Sequence, residues 1–352
     1  MKALGTIIAV SLVAALVVIS AGCGGKTSVT MRSAKVYYHQ NKDYPKAEEW
    51  FKKAVAEEPN NWEAHFYLAL SMAQQGKFTG VGEEFDQAYQ LAPDDKKQVV
   101  DSNQQTYFSQ HFRAGLSAKD TRNFEEAARE FEIAVAVDPT EANGYINLAY
   151  VYREMGQNDK ALEVMKKSVQ VDSTSVYAWS NLGLAYRDMK ENDLAAEAFQ
   201  KVVALSPEEP DVKFGALASL GDIMFDRKEF QKALEYYSQA AEITTEDAAL
   251  QYQVGATNYQ IENYQDAVEA FKKCTALTKD KDPALYSDAM YNLGISYLKL
   301  KNYDEAIGTF QTLLQTQESA EIHEMLGSAY GEKGLKEQAI EEFKKARALG
   351  GK

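Results

Sequence analysis

Histidine and cysteine, the side chains that most often serve as metal ligands or activated nucleophiles, are few in this 352-residue chain, and they are scattered. The four histidines, His39, His65, His111 and His323, lie far apart without an HExxH pair, so zinc ligation or a histidine proton relay is not expected. Two cysteines, Cys23 and Cys274, are too few for a disulfide framework. Gly24, Gly25, Lys26 and Thr27 have the residue types that end a phosphate-binding loop, but Ser20 stands where its first glycine belongs. A flexible tether is the better reading. Carboxylates are plentiful, yet most stand beside lysines, as in Glu341, Glu342, Lys344 and Lys345, the pattern of a solvated helix face. What recurs is different in kind: Asn147 and Asn181 are 34 residues apart, as are Arg153 and Arg187, with Lys119 one step earlier. Amides can hold a peptide backbone and these cations a carboxylate. The chemistry suggested is recognition, with no cofactor and no catalysis.

Composition narrows what is recognised. The chain is 45% hydrophobic and 26% charged, a mixture typical of folded protein. With 38 Lys and Arg against 52 Asp and Glu, the net charge of −14 repels phosphate backbones and, taken over the whole chain, anionic headgroups. Nucleic acid is therefore a disfavoured partner. The length would ordinarily mean two or three domains, unless repeats extend a single architecture.

Repeats are present. Alanine recurs at Ala47, Ala127, Ala161, Ala195, Ala233, Ala267, Ala306 and Ala339, with Val81 in the one missing place. Its spacings are 80, 34, 34, 38, 34, 39 and 33 residues, the first being two steps of 34 with 12 extra residues. Four residues later stands Phe51, Phe85, Phe131, Met165, Phe199, Tyr237, Phe271, Phe310 or Phe343, and three further a mostly small side chain such as Ala54, Ser168 or Cys274. That i, i+4, i+7 stripe is one face of a helix, which makes Cys274 a buried hydrophobe. Upstream, a second helix carries Leu148, Ala149, Tyr152, then Leu182, Gly183, Tyr186, and later Leu326, Gly327, Tyr330. Glycine there lets two helices touch.

Trp179, Leu182, Gly183, Tyr186, Ala195, Phe199 and Pro207 match W-x2-L-G-x2-Y, A-x3-F, P nearly in full, and on these residues the chain resembles the tetratricopeptide repeat. The resemblance implies an all-α, right-handed solenoid over residues 31–350. About nine helix-turn-helix units are expected, starting near Ser28, Trp62, Phe108, Ala142, Val176, Phe214, Ala248, Ser287 and Ala320. Prolines test this register independently. Pro59, Pro93, Pro139 and Pro207 end second helices, Pro45 opens one, and Pro210 and Pro283 fall in boundary insertions. The extra segment 96–107 is polar and proline-free and predicts an elongated first helix starting after Asp94 and Asp95.

At the N-terminus Lys2 precedes an apolar run from Ile7 to Ile19, then Ser20, Ala21, Gly22 and Cys23. This reads as an export signal, and a small residue directly before a cysteine resembles the lipobox of bacterial lipoproteins. The resemblance implies a signal peptide over 1–22, acylation of Cys23 as the first mature residue, and a tether over 23–30. It also implies a place in the cell envelope. Gly24 replaces the aspartate that often retains lipoproteins at the inner membrane, which points to the outer one. The alternative is an uncleaved span, since Leu4 to Ala21 gives 18 uncharged residues.

In the resembling family the first helix of each pair lines a concave side that takes peptides or partner helices. Two residues before each glycine or alanine there, this chain has Arg113, Asn147, Asn181, Ser219, Gln253 and Asn292. Six residues further stand Lys119, Arg153 and Arg187, then Phe225, Tyr259 and Leu298. The expected groove is cationic at one end for an acidic partner, and aromatic at the other for anchoring contacts. Charges paired with adjacent acids on an ordinary helix face are the alternative. The expected function is a non-enzymatic, membrane-anchored adaptor with a protein or peptide partner, serving type IV pilus or secretin assembly, outer-membrane insertion or polysaccharide export. A regulatory subunit recruiting a cell-wall hydrolase or transferase, and a soluble cytoplasmic co-chaperone, are the other readings.

Overall fold

The structure, a computed structural model, describes residues 28–205 and 209–350; the expected signal peptide and Cys23 lie outside them. Among the described residues eighteen α-helices follow one another in pairs: α1 (Val29–Val36) and α2 (Tyr44–Glu57), α3 (Trp62–Ala73) and α4 (Val81–Leu91), α5 (Asp94–Asp120) and α6 (Phe124–Val137). There follow α7 (Ala142–Glu154) and α8 (Asn158–Val171), α9 (Val176–Asp188) and α10 (Asn192–Leu205), α11 (Pro210–Asp226) and α12 (Phe230–Ile243). The series closes with α13 (Ala248–Gln260) and α14 (Tyr264–Thr278), α15 (Pro283–Lys299) and α16 (Tyr303–Leu314), α17 (Ala320–Glu332) and α18 (Lys336–Gly350). No strand occurs among the described residues, and no described helix is long and apolar enough to cross a membrane. The chain forms two compact units, ending and beginning at Gln104 and Gln105, a boundary inside the 27-residue α5.

Helix starts follow from side chains that satisfy the free N–H groups of the first turn. Asn61 accepts from Glu63 and Ala64, Ser175 from Ala178, and Ser319 from Ile322. The same chemistry moves three expected boundaries. Ser28 accepts from the Met31 amide, so α1 takes over the last two residues expected in the tether. Pro210 and Pro283 open α11 and α15 instead of sitting in loops, because proline at a first helical position loses no hydrogen bond. The insertions before Phe214 and Ser287 thus become an extra turn on each first helix. The polar segment 96–107 is helical throughout, as part of α5, which begins at Asp94.

The stripe packs as its spacing requires. Phe51, Phe85, Phe131, Met165, Phe199, Tyr237, Phe271 and Phe310 are all at most 1% exposed, and only Phe343, on the last described helix, is open on one side. A side chain at Gly183 would place its Cβ 2.7 Å from the Phe199 ring, so glycine here is what lets α9 and α10 close on each other. Cys274 is buried, and burial pushes its thiol up to about 11, which removes it as a nucleophile at neutral pH. In the second unit, successive first helices also touch one another, α7 to α9, α9 to α11, α13 to α15 and α15 to α17, and so form the inner layer there.

The turns between the two helices of a pair each contain at least one residue with positive φ. Gly76, Gly156 and Gly334 serve three of them, but Lys42, Arg122, Lys190, Lys228, Glu262 and Lys301 serve six. After α9 the amide of Glu191 reaches back to the Tyr186 carbonyl at 2.8 Å, and Lys190 takes the left-handed position at φ 62°. The β-carbon costs about 1–2 kcal/mol in that conformation, against about 0.5–1 kcal/mol of extra chain entropy for glycine. Lys190→Gly is therefore expected to raise the urea midpoint slightly, by up to about 1 kcal/mol of stability.

Candidate partner-binding groove

The inner layer of the second unit brings several of the expected residues together. Lys119 on α5 donates to Asn147 Oδ1 on α7 at 2.8 Å, and its ammonium lies 5.6 Å from the centre of the Tyr150 ring. The Arg153 guanidinium is 5.5 Å from the same ring, so cations of two adjacent repeats share one tyrosine. One repeat on, Arg187 Nη1 donates to Ser219 Oγ at 3.2 Å. Its charge also reaches Asp222, whose carboxyl is pushed up by burial and only partly restored by the Tyr237 hydroxyl and Arg187. The three cations thus use an amide, a ring and a hydroxyl where pairing with Asp120, Glu154 and Asp188 was the alternative.

The asparagines are partly spoken for. Asn147 and Asn181 each donate one amide hydrogen to the carbonyl a turn earlier, at Asn143 (3.0 Å) and Tyr177 (2.8 Å). An amide nitrogen carries two hydrogens, so each keeps one for a ligand. Asn292 uses both, on the Asp288 carbonyl at 2.9 Å and the Tyr252 hydroxyl at 3.1 Å. It can only accept. Phe225 and Tyr259 sit apart from this cluster: their rings meet Phe230 and Tyr264 edge-on, at 5.2 and 5.4 Å, and fasten each first helix to the second helix of its own pair. Both are half-buried, as is Leu298.

Charge is unevenly spread along the inner layer. Residues 105–120 of α5 with α7 and α9 carry four bases and three acids; α11, α13, α15 and α17 carry two bases and seven acids. No cluster of three or more His, Cys, Asp or Glu among the described residues could hold a metal.

Models of the tetratricopeptide repeat match residues 31–96, 130–163, 149–189, 176–209, 246–319 and 291–352. The chain is a tetratricopeptide-repeat protein. Among curated relatives it is similar to a BBSome complex member BBS4 homolog of Drosophila melanogaster, 23% identical over 78% of this chain and 55% of that one. It is also similar to a peroxisomal targeting signal receptor of Kluyveromyces lactis, 27% identical over 33% of this chain and 19% of the relative. A Hsp70-Hsp90 organising protein of Plasmodium falciparum is 30% identical over 27% of this chain and 17% of its own length. The chain therefore spans about half of the fly relative and under a fifth of the other two. Among solved structures, one from a functional characterisation of Pseudomonas aeruginosa pilF superposes with TM-score 0.50 at 16% identity, over 60% of this chain and 93% of that one, a likeness of fold.

The tetratricopeptide register also explains residues that sequence reasoning left scattered or solvated. His65 Nδ1 bonds Glu84 at 2.7 Å, His111 Nδ1 bonds Glu130 at 2.8 Å, and His323 Nδ1 bonds Glu342. Each pair is 19 residues apart and clasps the first helix of a repeat to its second. Glu342 is therefore no solvated surface acid: it is 9% exposed, bound to His323 and Lys345. The recurring 19-residue step was the available signal. Tyr150, which gathers Lys119 and Arg153, had no such signal, because its place is taken by other residue types in neighbouring repeats.

Proposed function

We propose that this protein is a non-enzymatic adaptor that holds an extended, acidic segment of a partner protein along the inner layer of its second unit. The observation that carries this reading is the group Lys119, Asn147, Arg153 and Arg187: cations whose described contacts are to an amide, a ring and a hydroxyl, beside amide hydrogens still free to donate. An extended chain needs backbone donors at intervals and acidic residues need charge-assisted donors, and three successive repeats supply both. Proteins named for a targeting-signal receptor and a chaperone organiser share parts of this repeat array. Their names accord with a peptide-binding role.

The adaptor is further proposed to be lipid-anchored in a bacterial envelope through Cys23, on the strength of Ser20, Ala21, Gly22 and Cys23 closing an apolar run. Its partner would then belong to an envelope assembly such as a pilus, secretin, outer-membrane insertion or polysaccharide-export machine. Metabolic labelling with a radiolabelled fatty acid tests the anchor: label is expected in wild type and absent, with unprocessed precursor, in Cys23→Ala. Crosslinked pull-down from native membranes tests the groove. Asn147→Ala with Asn181→Ala should recover less partner at unchanged thermal stability, because both side chains are only half-buried. Equal recovery would move the binding site elsewhere.

A further inference from the structure

One part of the molecule reverses its overall charge. From Gly24 to Lys42 there are four bases, Lys26, Arg32, Lys35 and Lys42, and no acid, whereas residues 43–352 hold 33 bases against 52 acids, a net charge of −19. The basic stretch includes α1, and α1 shows an apolar stripe to solvent: Val29 is 70% exposed and Val36 40% exposed. Arg32, also exposed, lies between them at i+3, so the three share one helix face. Lys35 points elsewhere, paired with Glu63 at 2.6 Å and set over the Tyr67 ring. Arg32 and Lys42 have no carboxylate partner among the described residues; Asp43, the nearest acid in sequence, is taken by Lys46 at 3.1 Å. His39 adds no charge at neutral pH, since burial and the neighbouring Lys35 hold its pKa below the ordinary value.

We propose that the face of α1 formed by Val29, Arg32 and Val36, with the exposed Lys42 beyond its C-terminal end, lies on an anionic lipid surface. The proposal rests on the membrane attachment argued above. Four residues separate Cys23 from Ser28, and a chain of that length reaches about 17 Å at most, so attachment at Cys23 keeps α1 within a short distance of the headgroups. There, exposed valines enter the interface and basic residues meet anionic lipid, the combination by which amphipathic helices bind. The repulsion of the acid-rich remainder is screened beyond about 8 Å at physiological salt, while the local attraction is not. The contact therefore orients the first unit, where the anchor alone would let it swivel.

The test uses the full chain reconstituted through its own N-terminus into vesicles, with a polarity-sensitive thiol dye at His39→Cys. Cys274 is buried and does not compete for the dye. Vesicles are phosphatidylcholine alone or with one third phosphatidylglycerol, each carrying a headgroup-depth quencher. Quenching is expected with phosphatidylglycerol at low salt, to fall at high salt, and to drop about tenfold when Arg32→Glu and Lys42→Glu are introduced. Equal quenching in both vesicles, or quenching indifferent to the two reversals, overturns the proposal. Dye found also on Cys23 by mass spectrometry shows an unacylated anchor, a separate failure that leaves the lipid preference to be read by the same comparison.

Discussion

Phe271→Ala is expected to lower the unfolding free energy by about 3–5 kcal/mol, the range for removing a buried aromatic ring. Phe271 is 1% exposed, meets the Tyr252 ring at 5.7 Å, and lies where a Cβ on Gly255 would come within 2.8 Å of it. Relaxation into the cavity is hindered because Ala267, Cys274 and Leu293 already pack around the same space. In a stack of repeats stability is a sum of local and neighbour terms, so damage here should not spread evenly. Hydrogen exchange should show residues 248–350 opening before the repeats that precede them. A single cooperative transition, with uniform exchange, would show that the stack behaves as one block.

Charge reversal at both Arg153 and Arg187 is expected to weaken capture of an acidic segment about a hundredfold, since two attractions become two repulsions. Arg187 is exposed and Arg153 half-exposed, so the fold should survive, which a melting curve checks. Titration at two salt concentrations separates this effect from a structural one. Wild-type affinity should fall with salt, and what remains in the double variant should depend on salt less. Glu163→Lys, on an exposed face of α8, is the matched control. Unchanged affinity in the double variant would remove the acidic partner from the proposed function.

The helix pairs were legible because burial imposes a period: Ala195, Phe199 and Val202 face the core and recur as their equivalents do in the other repeats. Lengths were less legible. Pro210 reads as a break in isolation, yet a proline also starts a helix well, and only the residues packed beneath the new turn decide between the two. The groove divides in the same way. That Asn147 and Asn181, like Arg153 and Arg187, hold equivalent places in successive repeats follows from their 34-residue spacing, but that Lys119 reaches across to Asn147, or that Phe225 turns onto Phe230, depends on rotamers chosen by neighbouring helices. The turn lysines were illegible for a further reason: Lys190 and Lys301 occupy a conformation that residue type alone assigns to glycine.

Helices in the second unit touch their immediate neighbours or the next but one, and the hydrogen bond from Asn292 to Tyr252 already spans 40 residues. Loop closure therefore costs little at each step, and any pair can form before the chain is complete. For a polypeptide that emerges end first, from a ribosome or through an export channel, this means that each repeat can fold as soon as its successor has cleared the exit, with no distant segment to wait for.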